Sequence, residues 1–147
     1  MRGWRAMLMV LPLVSVAACD DVFGPWGVTG TYQLEAVNGR NIPAIVFQRV
    51  GRDDFSISVV NGEMRLRGDG SFRLDVQYRE SEPGVETEYG VSFAGRWERY
   101  DDLILLEYVD PGTGRWVSMG AVPRNQSLEF TLPAAGVGVG MRVLFER

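Results

Sequence analysis

Four glutamates between positions 80 and 88 have the side-chain chemistry to bind a cation: Glu80, Glu82, Glu86 and Glu88. Calcium takes carboxylate oxygens as ligands, so a loop that carries these residues could hold it. The segment lacks the glycine and the ligand spacing of an EF-hand loop, however. The pattern therefore favours a solvated acidic loop over 80–88, and we predict no metal site.

The residue types that most catalytic mechanisms need are missing from the chain. It has no histidine, its 15 basic residues are all arginines, and it has one cysteine. These absences exclude histidine-based triads and zinc sites, Schiff-base and P-loop lysines, and disulfides within the chain. No serine lies in a nucleophile-elbow motif, and no carboxylate pair stands out as the couple that glycoside hydrolysis requires. We therefore predict a protein that is not an enzyme, with no catalytic residue and no cofactor.

The first residues are typical of an export signal. Arg2 and Arg5 give a positive start, an apolar run from Ala6 to Val14 follows, and small residues precede Cys19. The apolar run is too short to span a bilayer as a helix, and this order of charged, apolar and small residues is that of a secretory signal peptide. A plain secretory signal, cut after Ala18, would leave Cys19 as a free thiol.

The tetrapeptide Val16-Ala17-Ala18-Cys19 resembles the lipobox of bacterial lipoproteins. The resemblance implies that the cysteine sulfur receives a diacylglycerol, that the chain is cut before Cys19, and that the new amino group is often acylated. It divides the chain into a signal peptide over 1–18, a lipidated cysteine and short tether over 19–29, and a domain over 30–147. Several acyl chains anchor almost irreversibly. We therefore expect membrane anchoring through acyl chains on Cys19 in the bacterial cell envelope, at either the inner or the outer membrane.

Removal of residues 1–18 makes the chain more acidic. It leaves 13 arginines against 19 acidic residues, which is a side-chain charge of −6. Nucleic-acid phosphates attract basic surfaces, so an acidic chain is a poor partner for them. We expect no nucleic-acid partner, and the sequence points to no particular protein partner.

Beyond the tether, apolar and polar residues alternate with the period of two that is typical of β-strands. The clearest case runs from Phe72 to Tyr78. Asn61-Gly62 interrupts the run from Phe55 to Leu66, which favours a bulge in one long strand over a hairpin turn. Asp69-Gly70 suits a type I′ turn, in which both central residues need positive φ. We interpret the adhesion-like tripeptide Arg67-Gly68-Asp69 as part of that turn.

The spacing of these strands predicts the fold class. About eight or nine short strands separated by frequent turns indicate an all-β domain, and the short connections favour a single antiparallel up-and-down meander of about eight strands. Closing such a sheet into a barrel removes its exposed edges. A two-sheet β-sandwich is the alternative.

Several short motifs occur in the order found in small bacterial lipocalin-like domains. They are Gly30-Thr31-Tyr32, Val37-Asn38-Gly39, Asp69-Gly70-Ser71-Phe72, and Gly95-Arg96-Trp97 followed by Ile104 and Leu106. The domain from about Gly30 to Phe145 thus resembles this family, which implies a calycin-type barrel. Tyr32 stands where classical lipocalins carry tryptophan.

Six aromatic residues on the predicted inner face are our candidate ligand-binding residues: Tyr32, Phe72, Tyr78, Phe93, Trp97 and Tyr108. They could line a cavity for a small hydrophobic ligand, or they could fill the core of a closed barrel. The first arrangement predicts a non-enzymatic binding module with an open interior and one wet mouth. The second predicts a structural or protein-interaction module with an exposed apolar patch on its outer wall.

Overall fold

The computed structural model describes residues 27–51, 54–110, 112–133 and 140–147. Within these ranges all regular secondary structure is β-strand. The strands are β1 Gly30–Val37, β2 Arg40–Asn41, β3 Ala44–Arg49, β4 Phe55–Leu66, β5 Ser71–Glu82, β6 Val85–Tyr100, β7 Leu103–Val109, β8 Trp116–Arg124, β9 Ser127–Leu132 and β10 Met141–Glu146. The predicted signal peptide and lipidation residue Cys19 lie outside the described residues. In the described part of the chain, no helix is long and apolar enough to cross a membrane.

Eight of the strands form a closed antiparallel barrel. Strands β4 to β10 pair in chain order, and β1 closes the circle by pairing with both β10 and β4. The first half of β1, Gly30–Gln33, pairs with β4, and the second half, Gln33–Val37, pairs with β10. The short strands β2 and β3 extend the sheet beside β1 and β4. The predicted up-and-down barrel is confirmed, and the alternative of a two-sheet sandwich is wrong.

A bulge lies in β4 where the alternation of the sequence is interrupted. The strand is continuous from Phe55 to Leu66, and its register against β5 shifts between Val59 and Asn61. The Asn61 side-chain oxygen accepts a hydrogen bond of 2.8 Å from the Gly62 amide. A Cβ atom on Gly62 would lie 3.0 Å from that of Leu34, so the glycine lets β1 cross closely above the bulge. The predicted bulge is confirmed.

The turn between β4 and β5 differs from the predicted type I′ turn. A type I′ turn would give both Asp69 and Gly70 a positive φ, but of these two residues only Gly70 has a positive φ, at 81°. Arg67 and Ser71 are joined by a backbone hydrogen bond of 2.9 Å, and the Gly70 amide donates to the Arg67 carbonyl at 3.1 Å. The extra residue Gly68 makes this a three-residue loop, in which a single glycine in the left-handed region ends the turn.

The segment 80–88 is a strand hairpin and not the acidic loop that we predicted. Strands β5 and β6 stay paired up to Glu82 and Val85, and only Pro83-Gly84 lies between them. Proline followed by a glycine at φ +81° meets the requirement of a type II turn. No group of three or more acidic or cysteine side chains among the described residues could hold a metal ion.

Side-chain hydrogen bonds secure the end of the barrel at which β1 begins, which we call the base. Tyr32 Oη donates to the Val28 carbonyl at 2.6 Å, and Trp97 Nε1 donates to the Arg67 carbonyl at 2.9 Å. Inward-facing side chains from all eight barrel strands form one hydrophobic core. The opposite end, at which β5 and β6 turn, is called the mouth.

Candidate functional site

The six aromatic residues predicted to line the barrel are all buried in its core, each with at most 7% of its surface exposed. They do not converge on one site. Tyr32 and Trp97 make the hydrogen bonds of the base, and Phe72 directly follows the β4–β5 turn. The rings of Phe93 and Tyr108 meet edge to face at 5.1 Å, and Tyr78 lies nearer to the mouth. Most of the predicted set therefore packs the interior.

Two of these tyrosines have hydroxyl groups that find no partner in the described part of the chain. Tyr78 Oη and Tyr108 Oη are buried and make no hydrogen bond with any described residue. Tyr32 and Tyr100, in contrast, donate to the Val28 carbonyl and to a Glu98 carboxylate oxygen. Almost all buried polar groups in proteins are hydrogen-bonded, because an orphan costs roughly 1–3 kcal/mol. An acceptor atom placed beside either hydroxyl would therefore remove this cost.

Both orphan hydroxyls are protonated at physiological pH, and burial extends this to higher pH. It raises the pKa of Tyr78 to about 12, with a smaller contribution from the neighbouring Tyr89. Burial also raises the pKa of Tyr108, to which the nearby Asp110 charge adds. Each side chain is thus a hydrogen-bond donor throughout the physiological pH range.

An aromatic platform lies around Tyr78 at the mouth. Tyr89 of β6 pairs directly with Tyr78 of β5, and their rings stack at 5.4 Å with an interplanar angle of 15°. Burial and then the Glu80 carboxylate raise the pKa of Tyr89, which places this carboxylate at the edge of the platform. Of the stacked pair, Tyr78 is buried and the half-buried Tyr89 offers a flat apolar surface with one charged neighbour.

The rim continues onto β3 and β4. The Phe47 and Phe55 rings meet edge to face at 5.9 Å, and the Arg49 guanidinium lies 5.7 Å above the Phe55 ring. Phe47 pairs with the core residue Ile57, so the aromatic pair borders the interior, yet 37% of Phe47 is exposed. The rim therefore presents aromatic surface and one cation next to the mouth.

A groove opens at the mouth ends of β3, β4 and β5. Its volume is about 380 Å³. Its lining comprises Gln48, Arg49, Val50, Asp54, Phe55, Ser56, Ser81, Glu82 and Pro83. This volume falls in the range of small-molecule sites, although polar atoms make up much of the wall. The groove shares Arg49 and Phe55 with the rim.

Sequence reasoning found Tyr78 but missed most of the rim. Tyr89 and Phe55 carried a signal, because both follow the inward alternation of their strands. Phe47 carried none, since the run around it is uniformly apolar and a register shift between Ile45 and Phe47 changes which face it takes. The orphan state of the hydroxyls depends on which acceptors are near in space, which no sequence pattern encodes.

The chain forms a closed eight-stranded antiparallel barrel, with aromatic side chains and the buried Tyr78 hydroxyl toward the mouth. The amino-acid sequence matches no protein-family model, and a comparison with curated proteins finds no match.

Proposed function

We propose that this chain is a lipid-anchored protein of the bacterial cell envelope that binds a small apolar ligand at the barrel mouth, without catalysing a reaction. The orphan Tyr78 hydroxyl carries the proposal. It is a buried, protonated donor beside a stacked aromatic platform. A ligand with an apolar body and one acceptor atom must part the rim side chains to reach this buried hydroxyl. Its acceptor would then satisfy the hydroxyl, and its apolar body would cover the Tyr89 ring.

The energetics favour such a ligand over water alone. The ligand's apolar body would gain roughly 25 cal/mol for each Å² that the aromatic rim removes from water. Its acceptor would also remove the penalty of the orphan donor. Tyr78 would then orient the ligand while the stacked Tyr89 supplies contact area. No step in this role requires a nucleophile or a general base.

The sequence supports the anchor. The lipobox tetrapeptide ends at Cys19, and the described chain starts at Gly27, shortly before β1 enters the barrel at the base. Residues 19–26 can extend over roughly 26–29 Å at most. An acylated Cys19 would therefore hold the base near the bilayer, and the mouth would open at the far end of the barrel.

Native mass spectrometry of the acylated protein, extracted in mild detergent, tests the ligand. We expect a co-purified small molecule on the wild-type protein and its loss or marked reduction in Tyr78→Phe. Tyr100→Phe is the matched control, because this tyrosine is exposed and donates to Glu98 outside the mouth. Equal adducts on both variants, or none on any protein, would contradict the proposed site.

A separate variant tests the anchor. Cys19→Ala should lose the incorporation of labelled fatty acid and should leave the membrane fraction. A Cys19→Ala protein that stays with the membrane would show that the acyl anchor is wrong, whatever the result at Tyr78.

The outer wall favours a second candidate function, that of a protein-interaction module. On β7 and β8, Val109 and Trp116 are cross-strand neighbours with 46% and 63% of their surfaces exposed. The Arg96 guanidinium lies 5.6 Å above the Trp116 ring. Site-specific photo-crosslinking from position 109 in intact cells tests this function. We expect a discrete crosslinked band that Trp116→Glu abolishes, and a band that is insensitive to this substitution would contradict it.

A further inference from the structure

One side of β6 has no neighbouring strand over most of its length. Strand β5 pairs with β6 continuously from Val85 to Arg96, whereas β7 pairs with it only from Gly95 to Tyr100. Among the described residues, no strand lies on the β7 side of the segment from Val85 to Ala94. Every second residue of such an edge directs its amide and carbonyl groups away from the sheet. We call this segment the β6 edge.

The two faces of the β6 edge differ in chemistry. Glu86 and Glu88 are exposed on the outer face, where Arg79 of β5 donates to the Glu88 carboxylate at 2.7 Å. No described residue makes an ion pair with Glu86 within 4.0 Å. The inner face carries Tyr89, Val91 and Phe93, which pack on the core. An added strand would therefore meet carboxylates on one face and apolar side chains on the other.

The β6 edge is protected against pairing with some strands but not with others. Natural proteins blunt exposed edges with proline, lysine, bulges or short length. The β6 edge contains no proline and no lysine, and its pairing with β5 shows no register shift. Its charged outer residues are both acidic, which disfavours pairing with another acidic strand but admits a basic one.

We propose that the β6 edge binds an extended peptide segment of alternating basic and apolar residues by adding it as a further strand. The partner's basic side chains lie beside Glu86 and Glu88, and its apolar side chains continue the inner face next to Tyr89 and Val91. Backbone hydrogen bonds hold the segment, and its alternation of basic and apolar residues matches the two faces of the β6 edge. This surface lies beside the mouth and shares Tyr89 with the proposed ligand site, but strand addition does not require a ligand there.

The test uses the acylated full-length protein in non-ionic detergent and a blocked peptide in which arginine and valine alternate five times. Two versions of the peptide carry N-methyl groups, one on every valine amide and the other on every arginine amide. An added strand turns only one of these sets of amides toward its neighbour. We expect one methylated peptide to bind like the parent and the other not to bind.

Hydrogen exchange locates the contact. The parent peptide should slow exchange within Val85–Ala94 by more than tenfold at saturation and should leave β9 unchanged. Glu86→Gln should weaken binding by about threefold at low salt, as for an exposed ion pair. Glu35→Gln, which alters an exposed glutamate on β1, is the matched control and should have no effect.

Three outcomes would overturn the proposal. The first is equal binding of the two methylated peptides, or of a peptide with its arginines and valines in separate blocks, which would indicate attraction by charge alone. The second is unchanged exchange over Val85–Ala94 in the presence of bound peptide. The third is slow exchange there without peptide, together with a doubled mass, which would mean that a second copy of the chain covers the β6 edge.

Discussion

Trp97 donates its indole N–H to the Arg67 carbonyl at 2.9 Å, and this hydrogen bond ties β6 to the turn between β4 and β5. The backbone amide of Trp97 also donates to the Gly70 carbonyl in the same turn, at 2.8 Å. One residue thus holds the three-residue loop at the base through its side chain and its main chain. Trp97 is also part of the core, with 7% of the residue exposed.

Trp97→Phe should lower the free energy of unfolding by about 2 kcal/mol. The substitution leaves the Arg67 carbonyl without its donor and opens a small cavity under the turn. Urea unfolding followed by circular dichroism measures the change. Trp116→Phe is the control, since Trp116 is 63% exposed, and it should stay within about 0.5 kcal/mol of the wild type. Equal effects of the two substitutions would mean that the base bond does not stabilise the barrel.

Gly95→Ala should destabilise the barrel by about 3 kcal/mol or more. A Cβ atom at this position would clash with the main-chain carbonyl of Glu107 in β7, so the backbone of one strand would have to shift. Gly90→Ala, in the same strand, is the matched control because its Cβ would meet only the flexible end of Gln77. Thermal unfolding of the two variants compares them. A Gly95→Ala protein as stable as Gly90→Ala would show that β6 and β7 are farther apart than in this structure.

The strands with clear alternation could be predicted from the sequence, and those without it could not. Wherever apolar and polar residues alternate, as in Phe72–Tyr78, the strand and its inward face follow from the sequence, and the bulge follows from the break at Asn61-Gly62. The β5–β6 hairpin did not follow. Glutamate occupies both faces there, at Glu80 and at Glu86, so the period of two disappears and the segment resembles a loop.

The functional surfaces were less predictable than the strands. Tyr78 was expected to face inward, but its lack of a partner depends on the side chains that the barrel brings around it. The β6 edge depends on the pairing of Gly95 with Tyr108, which fixes where β7 joins the sheet. Register between strands is set by the packing of the whole core, and no local motif specifies it.

Tyr78→Phe and Tyr32→Phe should change stability in opposite directions. The first removes an orphan donor, so the ligand-free protein should become more stable by about 1 kcal/mol. The second removes the hydrogen bond of 2.6 Å to the Val28 carbonyl and should destabilise by about 1–2 kcal/mol. Urea unfolding of delipidated, ligand-free samples measures both. A destabilised Tyr78→Phe protein would mean that its hydroxyl is already satisfied, which would weaken the case for a ligand at the mouth.

Alkaline pH should destabilise the barrel through Tyr78. Burial raises the pKa of Tyr78 from 10.0 to about 12, so the folded chain keeps a proton that the unfolded chain releases above pH 10. The stabilisation is complete below pH 10 and is lost as the pH rises through about 12. The difference corresponds to about 3 kcal/mol. Burial raises the pKa of Tyr32 and Tyr108 as well, and these groups add to the same loss.

Comparison with Tyr78→Phe isolates this contribution. Urea unfolding at pH 9 and at pH 11.5 should show a smaller loss of stability in the variant than in the wild type, because the variant lacks the group that titrates. Absorbance at 295 nm during a pH titration of the folded proteins should show one late-ionising tyrosine fewer in the variant. If both proteins lose stability equally over this range, the Tyr78 hydroxyl is in contact with water and the mouth is wetter than its burial indicates.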